Sequence, residues 1–146
     1  TTVAGTGSSG SANGTGTSAS FDTPRGITTD GTNLYVAMGS AYNNLIRQIV
    51  ISTGVVTTVA GTGSRGTADG TGTSASFTEP KGITTDGTNL YVADDNQNGL
   101  VRKIVISTGV VTTVTGRSVI QEPKEITTDG TNLYVTDKNC IIRKIE

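Results

Sequence analysis

The chain has 146 residues, about one domain's length, with 11 Lys and Arg against 12 Asp and Glu for a formal net charge of −1. It contains no His and a single Cys, which excludes a His-dependent catalytic triad, a His-based metal centre and an intrachain disulfide. It lacks the basic excess of phosphate-neutralising proteins and any run near the roughly 18 apolar residues of a membrane-spanning helix, so neither nucleic acid nor membrane is expected as a partner.

Aromatic residues make up 4% of the chain, Gly is abundant at 20 residues, and Thr clusters beside Val and Ile. That mixture favours short strands joined by tight turns, because β-branched side chains fit a pleated surface and Gly supplies the turns. In chain order, Thr1–Ala4 (TTVA) reads as an outer strand. A Gly/Ser/Thr-rich loop follows from Gly5 to Thr23, carrying Phe21, expected in the core between units, and a glycosylation sequon at Asn13-Gly14-Thr15. GITTD (Gly26–Asp30) and NLYVA (Asn33–Ala37) then form a hairpin whose Asp-Gly predicts a type I′ turn. LIRQIVI (Leu45–Ile51) and VVTTVA (Val55–Ala60) complete the unit through a Ser-Thr-Gly turn.

From Thr57 the whole pattern returns, and from Thr112 it returns again. Pro24 and Pro80 are 56 residues apart, whereas Pro123 follows Pro80 after 43. The shortfall falls in the Gly/Ser/Thr-rich stretch, since loops absorb length changes that strands resist. Four antiparallel strands per unit, repeated head to tail, describe propeller blades at 26–60 and 82–115, with an incomplete blade at 125–146 and an outer strand at 1–4.

The run P-x-G-I-T-T-D-G-T-N-L-Y-V-A-D, an Asn-containing loop, then V-R-K-I and G-V-V-T-T-V-A-G-T-G resembles the NHL repeat over nearly the whole chain. The resemblance implies a propeller, commonly six-bladed, of a kind that binds proteins, RNA or glycans; a few propellers of related build are metal-dependent lyases or lactonases. The first copy departs from the pattern at Met38, where Asp94 and Asp137 stand in the others.

The expected fold is therefore all-β, with three four-stranded blades per chain forming half of a six-bladed propeller. Known closures need about 4 to 8 blades, so the staggered strands must be satisfied in trans. The assembly residues are Thr1, Thr2, Val3 and Ala4 at one end and Ile141, Ile142, Arg143, Lys144 and Ile145 at the other. A second copy closing a twofold ring, an open fibre, and the remainder of a longer propeller are the three ways to supply the missing edges.

Asp30, Asp86 and Asp129 each precede Gly and read as turn residues rather than a cation ring. Asp94, Asn96 and Asn98, with Gly99 after them, match the opening of a calcium loop, but its closing carboxylate position is Val105. Ca2+ is the one ion this arrangement suggests, and no other cofactor is expected. Arg25, Lys81 and Lys124 enter the first strands and are candidates for an anion-attracting channel collar, with Glu79 and Glu122 placed to neutralise them. Arg47, Arg102 and Arg143 read as rim or packing residues, and Cys140 as a small buried hydrophobe. Any protein or glycan partner is expected on loops 5–23 and 61–79, with Tyr42 as an exposed aromatic contact. Abundant Thr, Ser and Gly with sparse Cys suits a secreted, non-enzymatic scaffold.

Overall fold

Alternation along the strands decides the architecture. In β3 (Asn33–Met38) Leu34 and Val36 face one way, toward Ala4 and Phe21 of the chain's own N-terminal segment, and Tyr35 and Ala37 face the other, against the second blade. The computed structural model describes residues 1–95, 99–115 and 119–146. It holds three antiparallel sheets in chain order, an all-β arrangement of consecutive propeller blades.

The first blade comprises β1 (Gly14–Thr15), β2 (Pro24–Thr29), β3, β4 (Asn44–Val50) and β5 (Val55–Gly63), in the spatial order β1-β5-β4-β3-β2. The second repeats it with β6 (Gly70–Thr71), β7 (Pro80–Thr85), β8 (Asn89–Asp94), β9 (Leu100–Val105) and β10 (Val110–Thr115). The third has β11 (Ile126–Thr128), β12 (Leu133–Thr136) and β13 (Ile142–Ile145).

One expectation changes here. Each full blade has a fifth short strand, since Gly14 and Thr15 pair with Val56 and Val55 on the outside of β5, and Gly70 and Thr71 do the same for β10. Among the described residues Thr1–Ala4 pairs with no strand, whereas its repeat equivalent, Thr57–Ala60, pairs with β4.

The blades stack through apolar interfaces. Tyr35, Ala37 and Ile46 of the first blade meet Phe77, Ile83 and Leu90 of the second. Ala93 and Val101 of the second likewise meet Ile126, Leu133 and Val135 of the third. The innermost strands run close together, with the Gly82 N–H donating to Lys124 O at 2.9 Å. A Cβ at Gly82 would lie 2.7 Å from the Cα of Glu125, so glycine sets that approach.

Candidate functional site

Three places bring chemistry together: the start of the innermost strands, the buried arginines, and the open ends of the blade stack. At the start of the innermost strands, β2, β7 and the segment leading into β11 set Arg25, Lys81 and Lys124 in one row, each met by a carboxylate. Arg25 donates to Glu79 at 2.9 Å and to Gly39 O at 3.0 Å. Lys81 pairs with Asp95 and lies 3.8 Å from Glu79. Lys124 reaches the same Asp95 oxygen at 3.0 Å and lies 3.7 Å from Glu122, which also pairs with Lys138. Glu79 and Glu122 take the neutralising role their spacing suggested, and Asp95 and Lys138 extend the row into an alternating ladder.

Of the two readings of Arg47 and Arg102, packing holds and the rim does not, because both side chains are fully buried. Arg102 donates to Ser76 O, Ala68 O and Asp69 Oδ1, each at 2.9 Å, and its guanidinium stands 5.1 Å from the centre of the Phe77 ring. Arg47 repeats this with Ser20 O, Ala12 O and Asn13 Oδ1, 5.4 Å from Phe21. The loops 5–23 and 61–79 are therefore in part sockets for these arginines, each with a short 3-10 turn and its edge strand. Asn13, the nominal sequon, is engaged by Arg47. The signal that marks the sockets is the single Arg inside each apolar third strand, repeated with the loop that receives it.

Asp94 is buried, and its oxygens accept from the backbone N–H groups of Thr78 at 2.9 and 3.1 Å and Glu79 at 2.8 Å, with Arg102 3.7 Å away. These donors come from the segment before β7 rather than from Asp94's own loop. Burial lifts its pKa to about 6 against the pull of those amides. Asn96 and Asn98, the other two candidate calcium ligands, lie outside the described residues. Among the described residues, no cluster of three or more His, Cys, Asp or Glu is grouped as for a metal. Asp137 accepts from Asn139 N at 2.9 Å and from Arg143 at 2.6 Å.

Asp30, Asp86 and Asp129 are turn residues, but of another turn type. Only the glycine of each Asp-Gly-Thr-Asn turn has positive φ, +90° at Gly31, +87° at Gly87 and +91° at Gly130, which is the type II′ pattern rather than type I′. Asp30 accepts from Thr32 N, Asn33 N and the Tyr35 hydroxyl at 2.8, 2.7 and 2.9 Å.

At the open ends, Ile27 on the first blade is 61% exposed, against 5% for its equivalent Ile83, and Ile142 on β13 is 73% exposed. Cys140 is exposed, correcting its buried reading, because it sits at a turn tip with φ +58°. Tyr42 is 84% exposed, as its loop position suggested.

The fold and its rows of paired strands define the class: a β-propeller scaffold. The chain is similar over 86% of its length to a structure titled as a nidogen/laminin complex, at 16% identity, TM-score 0.56 and 60% coverage of that chain. It is similar to an auxiliary nutrient binding protein of Bacteroides thetaiotaomicron over 82% of this chain and 36% of that one, at 19% identity and TM-score 0.68. A protein of unknown function from the same organism matches over 100% of this chain and 34% of that one, at 19% identity and TM-score 0.67. The chain thus spans between about a third and 60% of the length of these structures. No protein-family model and no curated protein sequence matches it.

Proposed function

We propose that this chain is a non-enzymatic propeller scaffold of NHL-repeat type, half of a six-bladed ring, completed by another copy through complementary terminal strands. One observation carries the reading. Among the described residues β13 pairs with β12 alone and leaves an open edge, while Thr1–Ala4, whose equivalent is the strand that closes such an edge, lies outside any ladder. An unpaired edge next to an unused strand of matching sequence favours exchange between copies. A structural role is further supported by the titratable groups: Arg25, Lys81 and Lys124 are paired, and Asp94 is tied to backbone amides. The similarity to a chain in a nidogen/laminin complex is in keeping with a scaffold that presents surfaces to other proteins.

Light scattering over a dilution series tests this. A mass of twice the 14.9 kDa chain is the expected ring, and larger species mean a fibre. Removal of Thr1–Ala4 should abolish assembly while the far-UV strand signal persists. A monomer at every concentration overturns the proposal.

A further inference from the structure

We infer that the copies dock third blade against first blade in a strand register already used inside the chain, with Ile142 opposite Ala4, Arg143 opposite Thr2 and Lys144 opposite Thr1. The inference rests on the self-association proposed above and adds its geometry. Its template is the β4–β5 ladder, which pairs Ile46 with Ala60, Arg47 with Thr58 and Gln48 with Thr57. Each residue of the new register is the repeat equivalent of one in that ladder.

The receiving side is built, and no blade lies over it. Phe21, Ile27, Leu34, Val36 and Ile49 occupy the places that Phe77, Ile83, Leu90, Val92 and Ile104 occupy on the second blade, where the first blade covers them. Here no blade lies over them, though Val36 and Ile49 are buried beside Ala4 and Phe21, and they line an apolar trough of about 330 Å³ together with Val3 and Ala4. Beside it a cleft of about 820 Å³ runs along Gly5–Ser9 and Phe21–Pro24. On the second blade the matching space is taken by the loop of the first blade that ends in Asn44: a Cβ on Gly61 would lie 2.5 Å from Asn44 O.

The cleft already has the shape of its filled counterpart. Gly5 has φ +115° and Gly61 +110°, and the Thr6 N–H donates to Ala19 O at 2.8 Å just as Thr62 donates to Ala75 O at 2.9 Å. At Gly61 this backbone accommodates a neighbour; at Gly5 the same conformation stands ready without one.

A second copy is the occupant because this chain carries the covering side too. Tyr134 and Ile142 are the equivalents of Tyr35 and Ile46, which are both 0% exposed against the second blade, whereas Ile142 projects into solvent beside a free strand edge. Cys140 is the equivalent of Asn44, also 0% exposed, and on docking would enter the cleft beside Gly5. One feature distinguishes this seam from those within the chain: Glu125 stands where Gly26 and Gly82 allow close approach of the innermost strands. The seam is therefore wider at the channel end, and the middle and outer strands carry it.

Disulfide trapping tests the register. In a Cys140→Ser background, Thr2→Cys with Arg143→Cys places two thiols at directly opposed positions, where Cα separations of about 4.5–5.5 Å suit a disulfide. Oxidation should give covalent dimers, or a ladder of multimers for a fibre. Thr1→Cys with Arg143→Cys, one residue out of register, should give none. In the unmodified chain, maleimide labelling of Cys140 should be lost as concentration drives assembly, a readout that does not depend on how the cysteine variants fold. Oligomers that form without the crosslink and without thiol protection overturn the docking mode alone. A monomer throughout overturns both this and the self-association on which it rests.

Discussion

Arg47 and Arg102 are the same residue in two copies of one socket, yet their charge environments differ. Arg102 has Asp69 at 2.9 Å and Asp94 at 3.7 Å; Arg47 has neutral Asn13 and Met38 at those places. Burial alone lowers the pKa of Arg47, the mark of a cation held without a carboxylate. A hydrogen bond to a charged acceptor is worth more than one to an amide, and the acceptor position is half open to solvent. Asn13→Asp should therefore raise the unfolding free energy by about 1 kcal/mol, measured in urea at pH 7. Asp69→Asn should lower it by at least as much, since Asp69 also accepts from Thr113 N and Oγ1. Asp94 gives a second test. Its folded pKa of about 6 lies above the unfolded value near 4, so the folded state holds a proton the unfolded chain has released, and this group's contribution to stability falls as pH rises from about 4 to about 6. Relative to Asp94→Asn, the wild-type chain should lose stability across that window in urea titrations.

The hairpins show what was legible in sequence at the level of elements. Gly-Ile-Thr-Thr-Asp and Asn-Leu-Tyr-Val are short runs rich in β-branched and apolar residues that flank an Asp-Gly turn, so the inner strands and their turn are readable. The turn type is not, because it depends on Asp30 accepting from Asn33 N and the Tyr35 hydroxyl rather than on the Asp-Gly pair alone. The edge strands β1 and β6 and the sockets were also hidden. Gly/Ser/Thr sequence has no period, and the group that orders Ala12 is an arginine 35 residues away. The turns make a prediction of opposite sign to Asp94. Burial works against ionisation of Asp86, but hydrogen bonds from Asn89, Thr88 and Tyr91 outweigh it and hold the pKa at about 2. The stability it confers is present above about pH 4 and is lost as pH falls toward 2. Asp86→Ala should cost about 1 kcal/mol at pH 7 and carry a much smaller penalty near pH 2, where the folded carboxyl is half protonated, read from thermal or urea unfolding at the two pH values.

In the whole molecule, the repeats are similar enough to stack yet differ at the seam that would join two copies. Within the chain, glycines 26 and 82 let the innermost strands approach backbone to backbone, and the Gly82 N–H bonds across to Lys124 O. Glu125 removes that freedom on the third blade, placing an exposed charged side chain where a partner's inner strand would approach. In the proposed assembly this residue makes the seam between copies weaker than the seams inside the chain. Glu125→Gly should therefore tighten assembly: the dissociation constant measured by sedimentation should fall, the predicted Arg143–Thr2 crosslink should persist, and the unfolding free energy of the monomer should change little. If the variant instead dissociates more readily, the glutamate is a positive contact in the seam, and the inner strands of the two copies meet in a geometry different from that of Gly26 and Gly82.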